Sequence, residues 1–168
     1  MAWAVVTTLA AAVAFAAFHI PLPGHRDGPR AGRWRLRPLA GRPAHVCGLA
    51  YHALMLPAVA ALPAPAWAEA AGFAWMLADM ALEVAGLAGA AIDAGPIREG
   101  LHLVACLWLL GAGWSGGPEL GLIGTALAAA FVARLAGRVR RGRPAAWARH
   151  ASALLNVLWI VAVAVALA

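Results

Sequence analysis

The sequence predicts an all-α membrane protein, a bundle of six transmembrane helices with both termini on the non-cytoplasmic side. Three observations carry this. Apolar residues make up 64% of the 168 residues and charged residues only 12%, about half the charged share of a soluble domain. Six apolar stretches follow one another, each close to the roughly 20 residues that a helix needs to cross a bilayer core. All 13 basic residues are Arg, and every one falls at the same set of alternate connections.

The elements follow in order, within a single membrane domain over residues 1–168. Residues 2–20 form the first span, ended by Pro21, Pro23 and Gly24. It has no positive segment ahead of it, so it reads as a span and not as a secretory signal. Residues 44–62 form the second, with Pro57 inside and Pro63 and Pro65 closing it. The third covers residues 67–92, up to the turn at Asp93–Pro96. The fourth covers 97–114, before Ser115–Pro118. The fifth covers 119–135 and the sixth 150–168.

Arg26, Arg30, Arg33, Arg35, Arg37 and Arg42 lie between spans one and two, and Arg98 between three and four. Arg134, Arg138, Arg140, Arg141, Arg143 and Arg149 lie at or between the ends of five and six. The other connections hold none, as the positive-inside rule requires of a six-span chain. Short linkers predict antiparallel hairpins, and small residues such as Gly86 with Gly89, and Gly117 with Gly121, permit close helix contact. Trp3, Trp67, Trp114 and Trp147 fall near span ends, as aromatic belts do, whereas Trp75, Trp108 and Trp159 lie deeper.

The solvent implied is lipid, and the Ala- and Arg-rich, Lys-free usage points to a multi-pass protein of a bacterial inner membrane. A sequence pI of about 11.3 can signal nucleic-acid binding, but the apolar bulk excludes a soluble nucleic-acid module. The basic loops suit anionic lipid headgroups, and Trp34, between Arg33 and Arg35, suits a membrane surface.

Function is sought in what lipid disfavours. A charged side chain at bilayer depth costs about 2.5–3.5 kcal/mol even on a lenient scale. Asp79 lies near the middle of span three, and Glu83 follows at i+4 on the same face. Met76 belongs to that stripe. Span two carries His45, Cys47, Tyr51, His52 and Met55; span four carries Glu99, His102 and Cys106; span six carries Asn156. His52, Glu83 and Cys106 have similar depth, with His102 shallower and Met55 and Asp79 deeper. If these faces meet, they form one site in the cytoplasmic half of the bundle.

Asp79, Glu83, His52 and His102 are the binding or proton-relay candidates, with Glu83 and His52 expected to approach one another. His52, Met55, Glu83, His102 and Cys106 are the candidate metal ligands, suited to copper or zinc. His52 and His102 could alternatively ligate a b-type haem from two sides. No nucleophile elbow, catalytic dyad or phosphate-cradling loop marks an enzyme. Three functions stay open: a small proton- or metal-handling permease, a non-catalytic subunit of a larger membrane complex that binds haem or pigment, and a membrane-embedded enzyme acting on lipid or a redox carrier; the partners implied are such a complex or a second copy of the chain.

The run His52-Ala-Leu-Met55, closed by Pro57 and followed by a Trp-led third helix, resembles a family of small actinobacterial integral membrane proteins of unknown function. Those proteins also open with one helix and an Arg-rich loop, and place a His early in a later helix, as His102 is placed here. The likeness covers about residues 1–115 and implies the layout but no activity.

Overall fold

A computed structural model describes residues 2–19 and 41–168. Arg26, Arg30, Arg33, Arg35, Arg37 and Trp34, and with them most of the first Arg-rich connection, lie outside the described residues. The described residues form six helices: α1 (Ala2–His19), α2 (Arg42–Ala61), α3 (Ala66–Leu87), α4 (Ala94–Gly116), α5 (Pro118–Arg141) and α6 (Ala146–Ala166). No strand occurs among the described residues.

Local chemistry sets the helix ends. Pro43 opens α2, and Leu62, ahead of Pro63, is extended, as a residue preceding proline prefers. Helix α3 stops at Leu87, five residues short of the sequence expectation. Gly89 turns the chain there at φ 80°, and the Gly89 and Ala90 N–H groups donate back to Gly86 and Ala85. Helix α4 starts at Ala94 because Asp93 caps it, its Oδ1 accepting from the Gly95 N–H at 3.2 Å. Helix α5 runs six residues past the expected 135, to Arg141. Arg138, Arg140 and Arg141 in its last turn complement the negative end of the helix dipole, and Gly142 ends it at φ 68°. Helix α6 begins at Ala146, with Ala145 as its N-cap and Pro144 just before that.

Each helix packs on its neighbours in sequence, and α1 closes against α6, so the six make a ring. The four described connections are short, so neighbouring helices run antiparallel. That collects Arg42, Arg98, Arg134, Arg138, Arg140, Arg141, Arg143 and Arg149 at or near one end of the ring. The interior is filled by Trp75, Trp108, Trp159, Met55, Met76, Leu109, Leu127 and Ile160.

Glycine sets the closest approaches. A Cβ on Gly124 would collide with the Leu109 carbonyl, and Gly113 lies over Gly121 and Leu120, so α4 and α5 pack backbone to backbone. Of the glycines expected at contacts, Gly86 faces the His45 ring and Gly121 the Trp114 indole. Gly89 and Gly117, with positive φ, serve turns instead.

The outer surface is apolar. Val13, Leu77, Val84, Leu103, Leu122, Val132, Leu154 and Val165 are all exposed, far more apolar surface than a monomer in water presents. Helices α2, α3, α5 and α6 are long and apolar enough to cross a membrane, and α1 supplies a shorter apolar stretch over Ala2–Ala17. Helix α4 falls below that standard because Arg98, Glu99 and His102 occupy its first half. The chain is therefore read as a multi-pass membrane protein in contact with the bilayer. The span-end tryptophans Trp3, Trp67, Trp114 and Trp147 are exposed, and Trp75, Trp108 and Trp159 are buried.

Candidate functional site

A cavity of about 350 Å³ opens among the helices toward the Arg-bearing end of the ring. Helix α2 lines it with Gly48, Tyr51 and His52; α3 with Trp75, Asp79 and Glu83; α4 with Arg98, Glu99 and His102. Phe131, Arg134 and Arg138 come from α5, and Arg149, Ser152 and Asn156 from α6. Asp79, Glu83 and Glu99 are only 2%, 3% and 2% exposed.

Two ion-pair networks line the cavity. On the α2–α3 side, Arg98 serves both carboxylates of α3. Its Nη2 lies 2.6 Å from Glu83 Oε1 and its Nε 3.3 Å from Asp79 Oδ1. His45 approaches the second Glu83 oxygen through Nδ1 at 2.7 Å. The Trp75 indole N–H donates to Asp79 Oδ2 at 2.8 Å, and His52 Nε2 faces the same oxygen at 3.5 Å. The other ring nitrogen of His52 lies 2.7 Å from the Gly48 carbonyl oxygen. A carbonyl only accepts, so Nδ1 carries a proton and the tautomer is fixed.

On the α4–α5 side, Arg134 donates to Glu99 at 2.9 Å and to the Ser152 hydroxyl at 3.0 Å. His102 approaches the second Glu99 oxygen at 3.6 Å and stacks flat on Phe131, with ring centroids 4.1 Å apart. The Asn156 amide donates to the Tyr51 hydroxyl at 3.1 Å, tying α2 to α6.

The cavity thus gathers Asp79, Glu83, His52 and His102, the four relay candidates. Glu83 and His52 line the same cavity, but their direct partners differ: His52 faces Asp79, while Glu83 takes His45 and Arg98. The five proposed metal ligands are not gathered. Met55 is fully buried in the apolar core, and the Cys106 thiol donates to the Ala128 carbonyl. Neither lines the cavity. No group of three or more His, Cys, Asp or Glu able to hold a metal occurs among the described residues. The pair proposed for haem fits no better, since His52 turns one ring nitrogen to Gly48 and the other to Asp79.

Arg98 and Arg134, which on charge alone mark the membrane face, both line the cavity and hold its carboxylates. The signal for Arg98 is present in the sequence. It lies as far beyond the α3–α4 turn as Glu83 lies before it, so an antiparallel hairpin sets the two level. No protein-family model, no curated protein and no solved structure matches the chain.

Proposed function

We propose that the chain is a six-span protein of a bacterial inner membrane that handles protons as a small permease, its Arg-bearing end in the cytoplasm. The supporting observation is the sharing of one arginine by two buried carboxylates. Asp79 and Glu83 carry two negative charges against the single charge of Arg98, leaving one uncompensated charge in a low-dielectric interior. A buried excess of that kind calls for one further positive charge, which a proton held anywhere in the network, the His45 ring included, would supply.

The histidine geometry supports the same count. With Nδ1–H of His52 committed to Gly48, Nε2 without a second proton is an acceptor, and so is the Asp79 carboxylate it faces. One proton between them turns that contact from repulsive to attractive. His45, whose side chain is 29% exposed, then links the network to the Arg-bearing face through Glu83. The carriers in this reading are Asp79 and His52 inside and Glu83 and His45 outward. Arg98 holds the carboxylates and is itself fixed in charge.

Under this reading the positive end faces the cytoplasm by the positive-inside rule and touches anionic headgroups there. Proteoliposomes enclosing a pH-sensitive dye test it, with a potassium diffusion potential as the driving force. Vesicles bearing the protein should acidify faster than empty ones, and Glu83→Gln should abolish the difference. Equal rates in empty and loaded vesicles would refute the proposal.

A further inference from the structure

The charges that line the cavity do not balance. Four arginines, Arg98, Arg134, Arg138 and Arg149, line it against three carboxylates. Arg98 is shared by Asp79 and Glu83, and Arg134 is paired with Glu99. Arg138 and Arg149 have no carboxylate within ion-pair distance among the described residues. The nearby Asp93 has its Oδ1 turned to the Gly95 N–H at the start of α4. The Nε atoms of Arg134 and Arg138 are buried with no hydrogen-bond partner. A buried donor without a partner is costly, and arginine forks match the geometry of carboxylate and phosphate oxygens.

Four aromatic side chains, Phe15, Tyr51, Trp75 and Phe131, also line it. The volume sits at the lower end of pockets that enclose small molecules. We infer that the cavity binds a small organic oxyanion, a carboxylate or phosphate monoester, its charged end on Arg138 and Arg149 and its apolar body against the aromatic side. This rests on the reading of the cavity as a transport site and names the class of its cargo. A carboxylate would offset half of the excess charge of Arg138 and Arg149, and a phosphate monoester dianion all of it.

The same chemistry is offered by a soluble anion and by a lipid headgroup, and the experiment separates them. Purified full-length protein in neutral detergent is titrated with benzoate, with phenyl phosphate, and with phosphatidylglycerol added to the micelles. Calorimetry and thermal unfolding are both followed. A saturable shift with benzoate or phenyl phosphate, weakened about tenfold or more in Arg138→Gln and unchanged in Arg143→Gln, supports a soluble cargo. A saturable shift with phosphatidylglycerol alone, lost in the same variant, supports the oxyanion site and assigns it to a headgroup. Should Arg138→Gln not fold, Arg149→Gln gives the same reading, because its side chain is exposed and makes no bond among the described residues. Absence of saturable binding by all three probes, or equal affinity in the wild type and both lining variants, overturns the inference. Proton flux without anion binding would refute this inference alone; anion binding without proton flux would refute the proton reading alone.

Discussion

Arg98 reaches across the α3–α4 turn to Glu83, placing Nη2 2.6 Å from Oε1. The pair sits at equal distances from residues 90 and 91, so the hairpin itself puts charge opposite charge. Because Arg98 also meets Asp79, it is the joint on which the whole acidic wall depends.

Arg98→Gln should therefore be strongly destabilising. It leaves two buried carboxylates one helical turn apart on the same face and removes their shared cation. Breaking a buried ion pair from one side costs about 3–5 kcal/mol, and the partial exposure of Arg98, 28% of its side chain, points to the lower figure. The double variant Arg98→Gln, Glu83→Gln should recover part of the loss. Thermal unfolding in detergent measures both, and a single variant as stable as the wild type would contradict the geometry.

Close helix contact yields a second prediction. Gly124→Ala drives a methyl group into the Leu109 backbone carbonyl, which cannot swing aside as a side chain could. Helices α4 and α5 must separate, at a cost of about 1–3 kcal/mol. Gly100→Ala meets nothing within 4 Å and should be neutral or stabilising by up to about 1 kcal/mol, since Ala is the better helix former. Equal unfolding temperatures for the two variants would show that the α4–α5 contact is looser than described.

Much of this arrangement was legible in the sequence, and the failures have a common cause. Apolar runs and prolines located the helices, because lipid demands long uninterrupted spans. Helix ends shifted where a cap decided them: Gly89 cut α3 short, and Gly142, not the first arginine, ended α5. Depth counting brought Asp79, Glu83, His52 and His102 to one cavity. It could not resolve rotation about each helix axis, so Met55 and Cys106, at suitable depth, proved to face the core. Arg98 and Arg134 are missed when arginine is read only as a marker of the membrane face. Reflection about each turn finds them: Glu83 and Arg98 straddle residues 90 and 91 equally, and Glu99 and Arg134 straddle 116 and 117.

Orientation is testable by cysteine labelling in a background where Cys47 and Cys106 are replaced. Single cysteines at positions 65 and 116 stand at one end of the ring, and one at 143 stands at the other. The proposed topology expects 65 and 116 to react with an impermeant maleimide from outside intact cells, and 143 only after lysis. Labelling of 65 and 143 from the same side would rule out the six-span arrangement.

Asp79→Asn separates a functional carboxylate from a structural one. Asp79 meets three groups: the Trp75 N–H, His52 Nε2 and Arg98 Nε. An amide cannot satisfy all three, because its oxygen serves either Trp75 or Arg98 while its NH₂ group meets the other donor. One bond is lost, at about 1–3 kcal/mol. Against that, the substitution leaves Glu83 and Arg98 as a balanced pair and removes the uncompensated buried charge. The two effects oppose, so the unfolding temperature should stay near that of the wild type. Proton movement should not survive, because a balanced pair no longer requires a proton and the amide cannot exchange one with His52. Flux in proteoliposomes and thermal unfolding, measured on the same preparation, decide the matter. Full flux in a protein of raised stability would show that Asp79 carries no proton and serves only to anchor Trp75 and Arg98.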